Sequence, residues 1–479
     1  MTDARLRNTA LLVAGCFFME NLDGTIVTTA APRIGHALGV PSTSVGLVIA
    51  AYMVTLAVLI PLSGWLSARW GARHVFLSAI AIFTLASLAC AASTTFAELV
   101  VFRVLQGVGG AMMVPVGRLV VLARTEKSEM LRMVGLLVWP ALLAPVIAPL
   151  AGGVITTYAS WRWLFLVNVP LGVLALVIAA RLIDSPPRTG EPPPLDPVGG
   201  VLTCGGLAAA TYMAYLLSQS RVSWPAVIAC ATTAAVALTG ATVHLLRVAH
   251  PLVNLRTLRV PTFRAALGSG SLFWTAITSV PFLLTLLFQN AFGWSPVKSG
   301  AVVLFVFVGN VGIKPATTPM LRRFGYRPVL VTATAGAAAT MVAAGFFDAG
   351  TPIALIAFVA VLNGIGRSVS LTCYSTIVFA DTPPEEIRDA NTLQATAQQL
   401  AVGLGVPVGA VALRAGHPLG DLLPGATTAL SPYTAAFVLL ALVALTATVA
   451  ALRLHPDAGS AVTRRPGRGP AAATAAGDP

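Results

Sequence analysis

The stretch that organises this chain is FFMENLDGTIV, residues 17–27. It places two carboxylates, Glu20 and Asp23, inside an apolar segment that runs from about residue 10 to residue 31. Such a segment can cross a bilayer, which needs about 20 apolar residues. An ionised acid at the centre of a spanning helix costs about 2.5–3.5 kcal/mol on insertion scales, so it normally faces a protein-lined, watered cavity. The two acids therefore mark a functional site.

The composition of the whole chain predicts a membrane protein. Of its 479 residues, 56% are hydrophobic and only 10% are charged, whereas soluble domains carry about 25% charged residues. The net charge is +13, but the basic residues lie between apolar segments and form no stripe with interleaved aromatics, which argues against nucleic acid. The five cysteines lie within apolar segments and lack the spacing of metal ligands, so we expect no metal and no cofactor.

Windows of about 20 apolar residues predict fourteen spans. Their approximate limits are 10–31, 45–67, 74–93, 97–122, 133–156, 163–182, 198–217, 225–246, 263–289, 299–320, 328–347, 352–379, 392–413 and 432–453. With the N-terminus in the cytoplasm, 21 Lys and Arg residues fall on the cytoplasmic side, 5 fall outside and 4 lie within spans. This positive-inside pattern predicts that both termini are cytoplasmic.

A sequence repeat divides the spans into two halves. The pattern RWGAR (69–73) after the second span returns as RFGYR (323–327) after the tenth, and LQGVG (105–109) returns as LNGIG (362–366). Both pairs fall on the same element of each half, which indicates a parallel repeat of six spans. We predict an N-terminal half (1–183), a linker with two additional central helices (184–262), a C-terminal half (263–454) and a disordered cytoplasmic tail (455–479).

Five local patterns resemble one family, the major facilitator superfamily, and within it the fourteen-span drug:H⁺ antiporter branch. The resemblance covers about residues 10–453. LDGTIVTTAAP (22–32) resembles the first-span signature LDxTIVNxALP, and GWLSARWGAR (64–73) resembles the cytoplasmic motif GxLADRxGRK. RVLQGVGGA (103–111) resembles the fourth-span motif RxxQGxG, APLAGG (148–153) the antiporter motif GPxxGG, and WRWLFLVNVPLG (161–172) the start of span six.

The resemblance implies an all-α polytopic membrane protein that works by alternating access, with gating residues in its motifs. These are Gly64, Arg69, Gly71, Arg73, Gly107, Pro149, Gly152 and Gly153. Ala68 stands where the cytoplasmic motif usually has an Asp that holds the outward-facing state, so this latch must be weaker or built differently here. The glycines and prolines of 140–153 fit either an antiporter hinge or ordinary close helix packing.

Three residues are the candidates for proton coupling. Glu20 and Asp23 lie three residues apart and can share one side of a helix, where a carboxylate can load and release a proton as the cavity switches sides. Arg103 keeps its charge and needs an acid, a carbonyl or water beside it; the resemblance implies a role in proton relay. A purely structural role, as a hydrogen-bonding group or an ion-pair brace, stays open for Asp23 and Arg103.

The substrate cavity is predicted from the remaining cations and from aromatic residues near mid-membrane. Four cations in spans against two acids favour anionic or neutral substrates, although Arg118 and Arg367 could instead extend to an interface. The candidate cavity residues are Lys314, Arg118, Arg367, Gln106, Trp139, Phe273, Trp274, Phe282 and Gln289, with Phe288 as a further aromatic candidate. More often, aromatic residues at such positions simply face lipid or a neighbouring helix.

Together these patterns predict a proton-coupled antiporter that exports small amphipathic compounds or drugs across a bacterial inner membrane. The expected partners are a small-molecule substrate, H⁺ and the lipid bilayer, with no nucleic acid, and the expected state is a monomer. A transporter of the same fold for one specific metabolite is the alternative. An enzyme is not expected, because the six histidines show no cluster with acids or cysteines at one membrane depth.

Overall fold

The computed structural model describes residues 3–184, 194–219, 222–420, 431–456 and 458–463. These residues form helices and connecting segments, with no strand among them. The predicted all-α class is therefore confirmed. In lipid this is the expected solution, because a helix satisfies its backbone hydrogen bonds within one segment.

The helices are numbered in chain order. They are α1 (Asp3–Ala37), α2 (Gly46–Leu59), α3 (Leu62–Trp70), α4 (Ala72–Ala92), α5 (Phe96–Leu122), α6 (Lys127–Tyr158), α7 (Trp163–Leu166), α8 (Asn168–Leu182), α9 (Pro197–Ser218), α10 (Trp224–Arg247), α11 (Pro261–Leu286), α12 (Pro296–Gly312), α13 (Lys314–Phe324), α14 (Tyr326–Gly345), α15 (Ile353–Ile377), α16 (Ile387–Gly420), α17 (Ser431–Leu452) and α18 (Ser460–Thr463).

Among the described residues, 11 helices are long and apolar enough to cross a membrane, or up to 13 if each of two bent pairs counts as one span. The predicted number of fourteen is not confirmed. The predicted span at 133–156 lies within the 32-residue helix α6, of which only a shorter segment, Val146–Thr156, meets the apolar criterion.

The two bent pairs occupy the same place in each half. Helices α2 and α3 meet at 61°, and α12 and α13 meet at 49°. A proline begins the second helix of each pair, Pro61 at the N-cap of α3 and Pro315 within the first turn of α13. Proline lacks the backbone N–H and clashes with the preceding turn, which accounts for both breaks.

Glycines of the repeated patterns make equivalent contacts in the two halves. Gly71 and Gly325 follow α3 and α13 with φ of 83° and 77°, a left-handed conformation that glycine adopts without steric cost. In α5 and α15 the backbone approaches a neighbour so closely that an added Cβ would lie 2.6 Å from Phe83 N at Gly109, and 2.8 Å from Ala333 O at Gly366. The structural correspondence supports the repeat read from the sequence.

The additional helices α9 and α10 pack against each other, and α9 contacts α2 and α16, which belong to different halves. Asp196 caps the start of α9 by accepting a hydrogen bond from Gly199 N at 2.8 Å. The same carboxylate bonds to His244 Nε2 at 2.8 Å and to Leu252 N at 3.3 Å. Burial raises the pKa of Asp196, but these hydrogen bonds and the His244 ring outweigh it and hold the pKa below its ordinary value.

Hydrogen bonds join the two halves at the end of the bundle that the basic residues predict to be cytoplasmic. Arg118 donates to Ser375 O at 2.9 Å, and Lys127 donates to Ala380 O at 2.9 Å. Asn391 donates to Pro115 O at 2.9 Å, and both residues are buried. The halves are thus held together at this end of the molecule.

The linker and tail lie partly outside the described residues. The linker residues 185–193 and the tail residues 464–479 fall outside them, as do residues 421–430. The described part of the tail includes the short helix α18, whose Val462 is fully buried and which contacts α6. The disorder predicted for residues 455–479 stays a prediction.

Candidate functional site

Asp23 and Arg103 form an ion pair inside the first half. Arg103 Nη1 lies 2.5 Å from Asp23 Oδ2, and both side chains are 0% exposed. A buried ion pair loses the hydration of both charges, so it persists only with good geometry and further hydrogen bonds. Of the three groups expected beside Arg103 (an acid, a carbonyl or water), the structure thus shows an acid; the proton-coupling role stays a prediction.

Two amides complete the hydrogen bonding of Asp23. Gln106 Nε2 and Asn168 Nδ2 each donate to Asp23 Oδ1 at 2.9 Å. Gln106 also accepts from Arg103 Nη1 at 2.7 Å and donates to Ser87 Oγ at 2.7 Å. We call this the Asp23 network; its members are Asp23, Ser87, Arg103, Gln106 and Asn168. It joins four helices, α1, α4, α5 and α8.

Aromatic rings cover the guanidinium of Arg103. Its Cζ lies 4.2 Å from the ring centroid of Tyr52 and 5.7 Å from that of Phe165. Cation–π contacts of this kind are strongest where water is excluded. Arg103 Nη2 and the Tyr52 hydroxyl are buried and find no hydrogen-bond partner among the described residues. The network therefore retains a donor and a hydroxyl that could exchange partners.

The local sequence explains how these side chains converge. Arg103 and Gln106 lie three residues apart on α5, so they share one face of the helix. Gly107 lets α2 approach that face, since an added Cβ there would lie 3.1 Å from Tyr52 O and closer still to the Thr55 side chain. Asn168 is the first residue of α8, directly after the break from α7, which places its amide at the Asp23 carboxylate.

In the described part of the chain, no hydrogen bond or ion pair joins Glu20 to Arg103. It is partly buried, and its Oε2 has no hydrogen-bond partner there. The Glu20 carboxyl lies near Gly110, where an added Cβ would be 3.7 Å from Glu20 Cδ and 3.2 Å from the Tyr52 hydroxyl oxygen. The Glu20 carboxyl and the Tyr52 hydroxyl thus both lie near Gly110 of α5, the helix that also carries Arg103, the partner of Asp23.

The other intramembrane cations gather along α15. Lys314 Nζ donates to Thr372 Oγ1 at 2.7 Å, at the bend between α12 and α13. Arg367 lies on α15, with its Cζ 5.8 Å from the Trp274 ring and 6.0 Å from the Phe307 ring, and its Nε is buried without a partner among the described residues. Arg118 reaches the same helix from α5, at the junction of the halves, and lies 5.1 Å from the Phe379 ring.

Four of the predicted aromatic residues, Phe273, Trp274, Phe282 and Phe288, lie in or against one hydrophobic core cluster of the second half. Phe273 and Trp274 are buried in the second half, and Phe273 lies 6.2 Å from Tyr374 of α15. Phe282 lies against Gly409 of α16, and Gln289 is in a π-helical turn, Leu287–Ala291. Trp139 is 44% exposed on α6, and Phe288 stacks on Trp294. The structure brings Trp274 and Arg367 together; the role of these residues in substrate binding stays a prediction.

The motif residues predicted to act in gating lie at helix junctions and close contacts. Gly64 faces Thr392 of α16 so tightly that a Cβ would collide with the threonine hydroxyl. Arg73 Nη2 donates to Ala180 O at 2.9 Å, and Arg69 is exposed. Gly152 and Gly153 accept hydrogen bonds from Thr156 in α6. Pro149 is in α6, but its side chain is not among those that the structure describes.

Sequence reasoning missed three members of this site. Ser87, Tyr52 and Asn168 looked like ordinary polar or aromatic residues within apolar segments. Asn168 lies in the quoted pattern WRWLFLVNVPLG, and an amide at the start of a span was a signal that could have suggested it. Among the described residues, no group of three or more His, Cys, Asp or Glu is placed to hold a metal ion.

The fold and the site together define a multi-pass membrane transport protein built on a six-helix repeat. Its sequence matches the profile of the Major Facilitator Superfamily over residues 13–406 and again over 265–476. The chain belongs to the Major Facilitator Superfamily, whose members are transporters of small molecules rather than enzymes.

Relatives in enteric bacteria carry multidrug-resistance names. A protein of Salmonella newport (strain SL254), provisionally named multidrug resistance protein MdtD, is 35% identical over 413 residues, which cover 84% of this chain and 85% of that protein. The protein of the same provisional name from Escherichia fergusonii is 34% identical with the same coverage.

Two solved structures share the fold at low sequence identity. The human organic anion transporter MFSD10 (TETRAN) superposes with a TM-score of 0.65 at 14% identity, covering 94% of this chain and all of that one. The proton:xylose symporter XylE, bound to 6-bromo-6-deoxy-D-glucose, gives a TM-score of 0.61 at 14% identity, covering 92% of this chain and 95% of that one. At these identities the likeness concerns the fold alone.

Proposed function

We propose that the protein is a proton-coupled antiporter that exports small amphipathic compounds across a bacterial inner membrane, with both termini in the cytoplasm. The observation that carries the proposal is the fully buried Asp23–Arg103 ion pair and the amides around it. An ion pair that bridges α1 and α5 changes its strength when its acid takes up a proton. The multidrug-resistance names of the enteric relatives agree with export of drug-like compounds.

The two acids would have different tasks. Glu20 has an oxygen without a hydrogen-bond donor, so it is the group that can load a proton without breaking an existing contact. Asp23 accepts three hydrogen bonds in this conformation. A proton passed to Asp23 would remove its attraction for Arg103 and let α1 and α5 separate, which couples protonation to the change of side.

The energy for export would come from the proton gradient, without a cofactor. An inward proton falls through about 2.3 kcal/mol per 100 mV of membrane potential, plus any pH gradient. The substrate class is set by the second half, where Lys314 and Arg367 lie against α15 with Trp274 and Phe307 nearby. Cations beside aromatic rings favour neutral or anionic amphipathic compounds.

The test is transport in proteoliposomes with an imposed pH gradient and a panel of anionic, neutral and cationic dyes. We expect gradient-dependent movement of anionic and neutral dyes, and its loss in Asp23→Asn but not in the control Asp381→Asn, which changes an exposed acid. Movement of cationic dyes alone would contradict the proposed substrate charge. Saturable movement of a single metabolite, with no dye transported, would instead identify a specific metabolite transporter.

A further inference from the structure

An apolar groove with a basic end lies between α1 and α8, apart from the Asp23 network and from the predicted cavity. Its volume is about 670 Å³, which is within the usual range for sites that hold small ligands. Leu11, Gly15 and Phe18 line it from α1, and Leu174 and Ile178 line it from α8. Leu11 and Leu174 are half-exposed, so one side of the groove is open.

The groove extends through one leaflet of the bilayer. Its α1 lining runs from Asn8 to Met19, a length of about 17 Å at 1.5 Å per residue. The hydrocarbon core of a bilayer is about 30 Å thick, so this length matches a single leaflet. The groove is therefore about as long as one lipid acyl chain in the leaflet on the side of the membrane where the N-terminus lies.

Polar and basic groups gather at the end of the groove that faces the membrane surface. Asn8 and Arg181 line that end directly, and Arg181 forms no ion pair among the described residues. Arg5 lies beside it, bonded to Leu182 O at 3.1 Å and paired with Asp184 at 2.6 Å. Arg73 approaches the same turn of α8 through Ala180 O. Arg124 also donates to Asp184 O at 3.3 Å, so in the described part of the chain one acid lies here against four guanidinium groups and the charge is positive.

We propose that this groove is a binding site for an anionic phospholipid of the cytoplasmic leaflet, with an acyl chain along Gly15 and Ile178 and the phosphate at Arg181 and Asn8. An apolar channel of one-leaflet depth with a basic mouth is complementary to such a lipid in both shape and charge. Arginine binds phosphate through paired N–H groups, and each basic residue near an anionic membrane surface adds attraction. Because α1 carries Asp23 and α8 carries Asn168, a bound lipid would hold together two helices of the Asp23 network.

Two variants separate the apolar and the basic part of the site. An added Cβ at Gly15 meets no atom within 4 Å, so Gly15→Leu fills the groove without a clash in the protein. Arg181→Gln removes the exposed charge and keeps a polar side chain. Matched controls are Gly268→Leu, at another open glycine on α11, and Arg453→Gln, at an exposed arginine after α17.

The experiment uses the full chain in liposomes of phosphatidylcholine that contain a trace of phosphatidylglycerol with a diazirine on its acyl chain. After photolysis, we expect labelled peptides from residues 8–19 and 171–182. Arg181→Gln should lower this label about fivefold, as expected for one basic residue at a charged surface, and Gly15→Leu should remove it, while both controls keep it. Equal labelling by a diazirine phosphatidylcholine would overturn the proposed selection of an anionic headgroup. Unchanged labelling of Gly15→Leu would overturn the proposed binding of the acyl chain in the groove. Neither readout depends on proton-coupled transport.

Discussion

Gln106 and Asn363 hold corresponding positions in the two halves and make the same kind of contact. Gln106 donates to Ser87 Oγ at 2.7 Å, and Asn363 donates to Thr340 Oγ1 at 2.9 Å. The equivalence ends there, because Ala360 stands in the second half where Arg103 stands in the first. Each half therefore keeps the amide–hydroxyl contact, while the ion pair with Asp23 belongs to the first half alone.

This asymmetry predicts how the ion pair responds to substitution. Arg103→Gln leaves Asp23 buried without its cation, and breaking a buried pair in this way costs about 3–5 kcal/mol of stability. The double variant Asp23→Asn, Arg103→Gln removes both charges and should regain most of that loss. Thermal unfolding in detergent measures both effects. A double variant no more stable than Arg103→Gln would show that the pair is not the dominant interaction here.

The repeated glycines should be intolerant of a single methyl group. Gly109→Ala and Gly366→Ala each place a Cβ against the backbone of a neighbouring helix, and overpacking of this kind costs about 1–3 kcal/mol. The control is Gly135→Ala in α6, where an added Cβ meets nothing within 4 Å. Unfolding temperatures in detergent compare the three. Equal stability of all three variants would contradict the close helix approach.

Much of this arrangement could be predicted from the sequence, and the reasons are local. The repeat was visible because glycines at close helix contacts recur with little change. An acid was one of the three groups expected beside Arg103, because a buried guanidinium needs an acid, a carbonyl or water. The number of spans was harder, because the bends at Pro61 and Pro315 divide two apolar runs and because α6 is apolar enough only over Val146–Thr156. The amide of Asn168 at the start of a span could have been noticed, but not its partner, because Asp23 lies 145 positions away in the sequence and meets it only through tertiary packing.

The junction between the halves should control the balance between the two transport conformations. Asn391 bonds to Pro115 O across the junction, at an end where Ala68 replaces the motif's usual acid. Asn391→Ala should therefore shift the population towards the state open at this end, and distances between spin labels on α3 and α16 would measure the shift. The control Asn254→Ala removes a 2.9 Å bond to Asp389 at the same end, outside the junction. Equal effects of the two variants would argue against a latch at Asn391.

Asp196 should stabilise the additional helices in a pH-dependent way. Its pKa is held below the ordinary value in the folded protein, so its contribution is present above the unfolded pKa, about 3.9, and is lost as the pH falls through the folded pKa. Asp196→Ala, which also removes the helix cap, should cost about 0.5–2 kcal/mol at pH 7. Asp196→Asn keeps a cap and should cost less. The free energy of unfolding of the wild type and of Asp196→Ala, measured across an acid pH series, checks this prediction. A difference between the two that stays constant down to the lowest pH would contradict it.

Proton release on substrate binding tests the proposed antiport most directly. A dye that moves in the liposome assay is added to the purified protein in weakly buffered detergent solution, and the pH change is recorded. Binding should release protons from the wild type and from Asp381→Asn, and should release none from the double variant Glu20→Gln, Asp23→Asn. Binding without proton release in the wild type, or unchanged release in the double variant, would contradict coupling through these two acids.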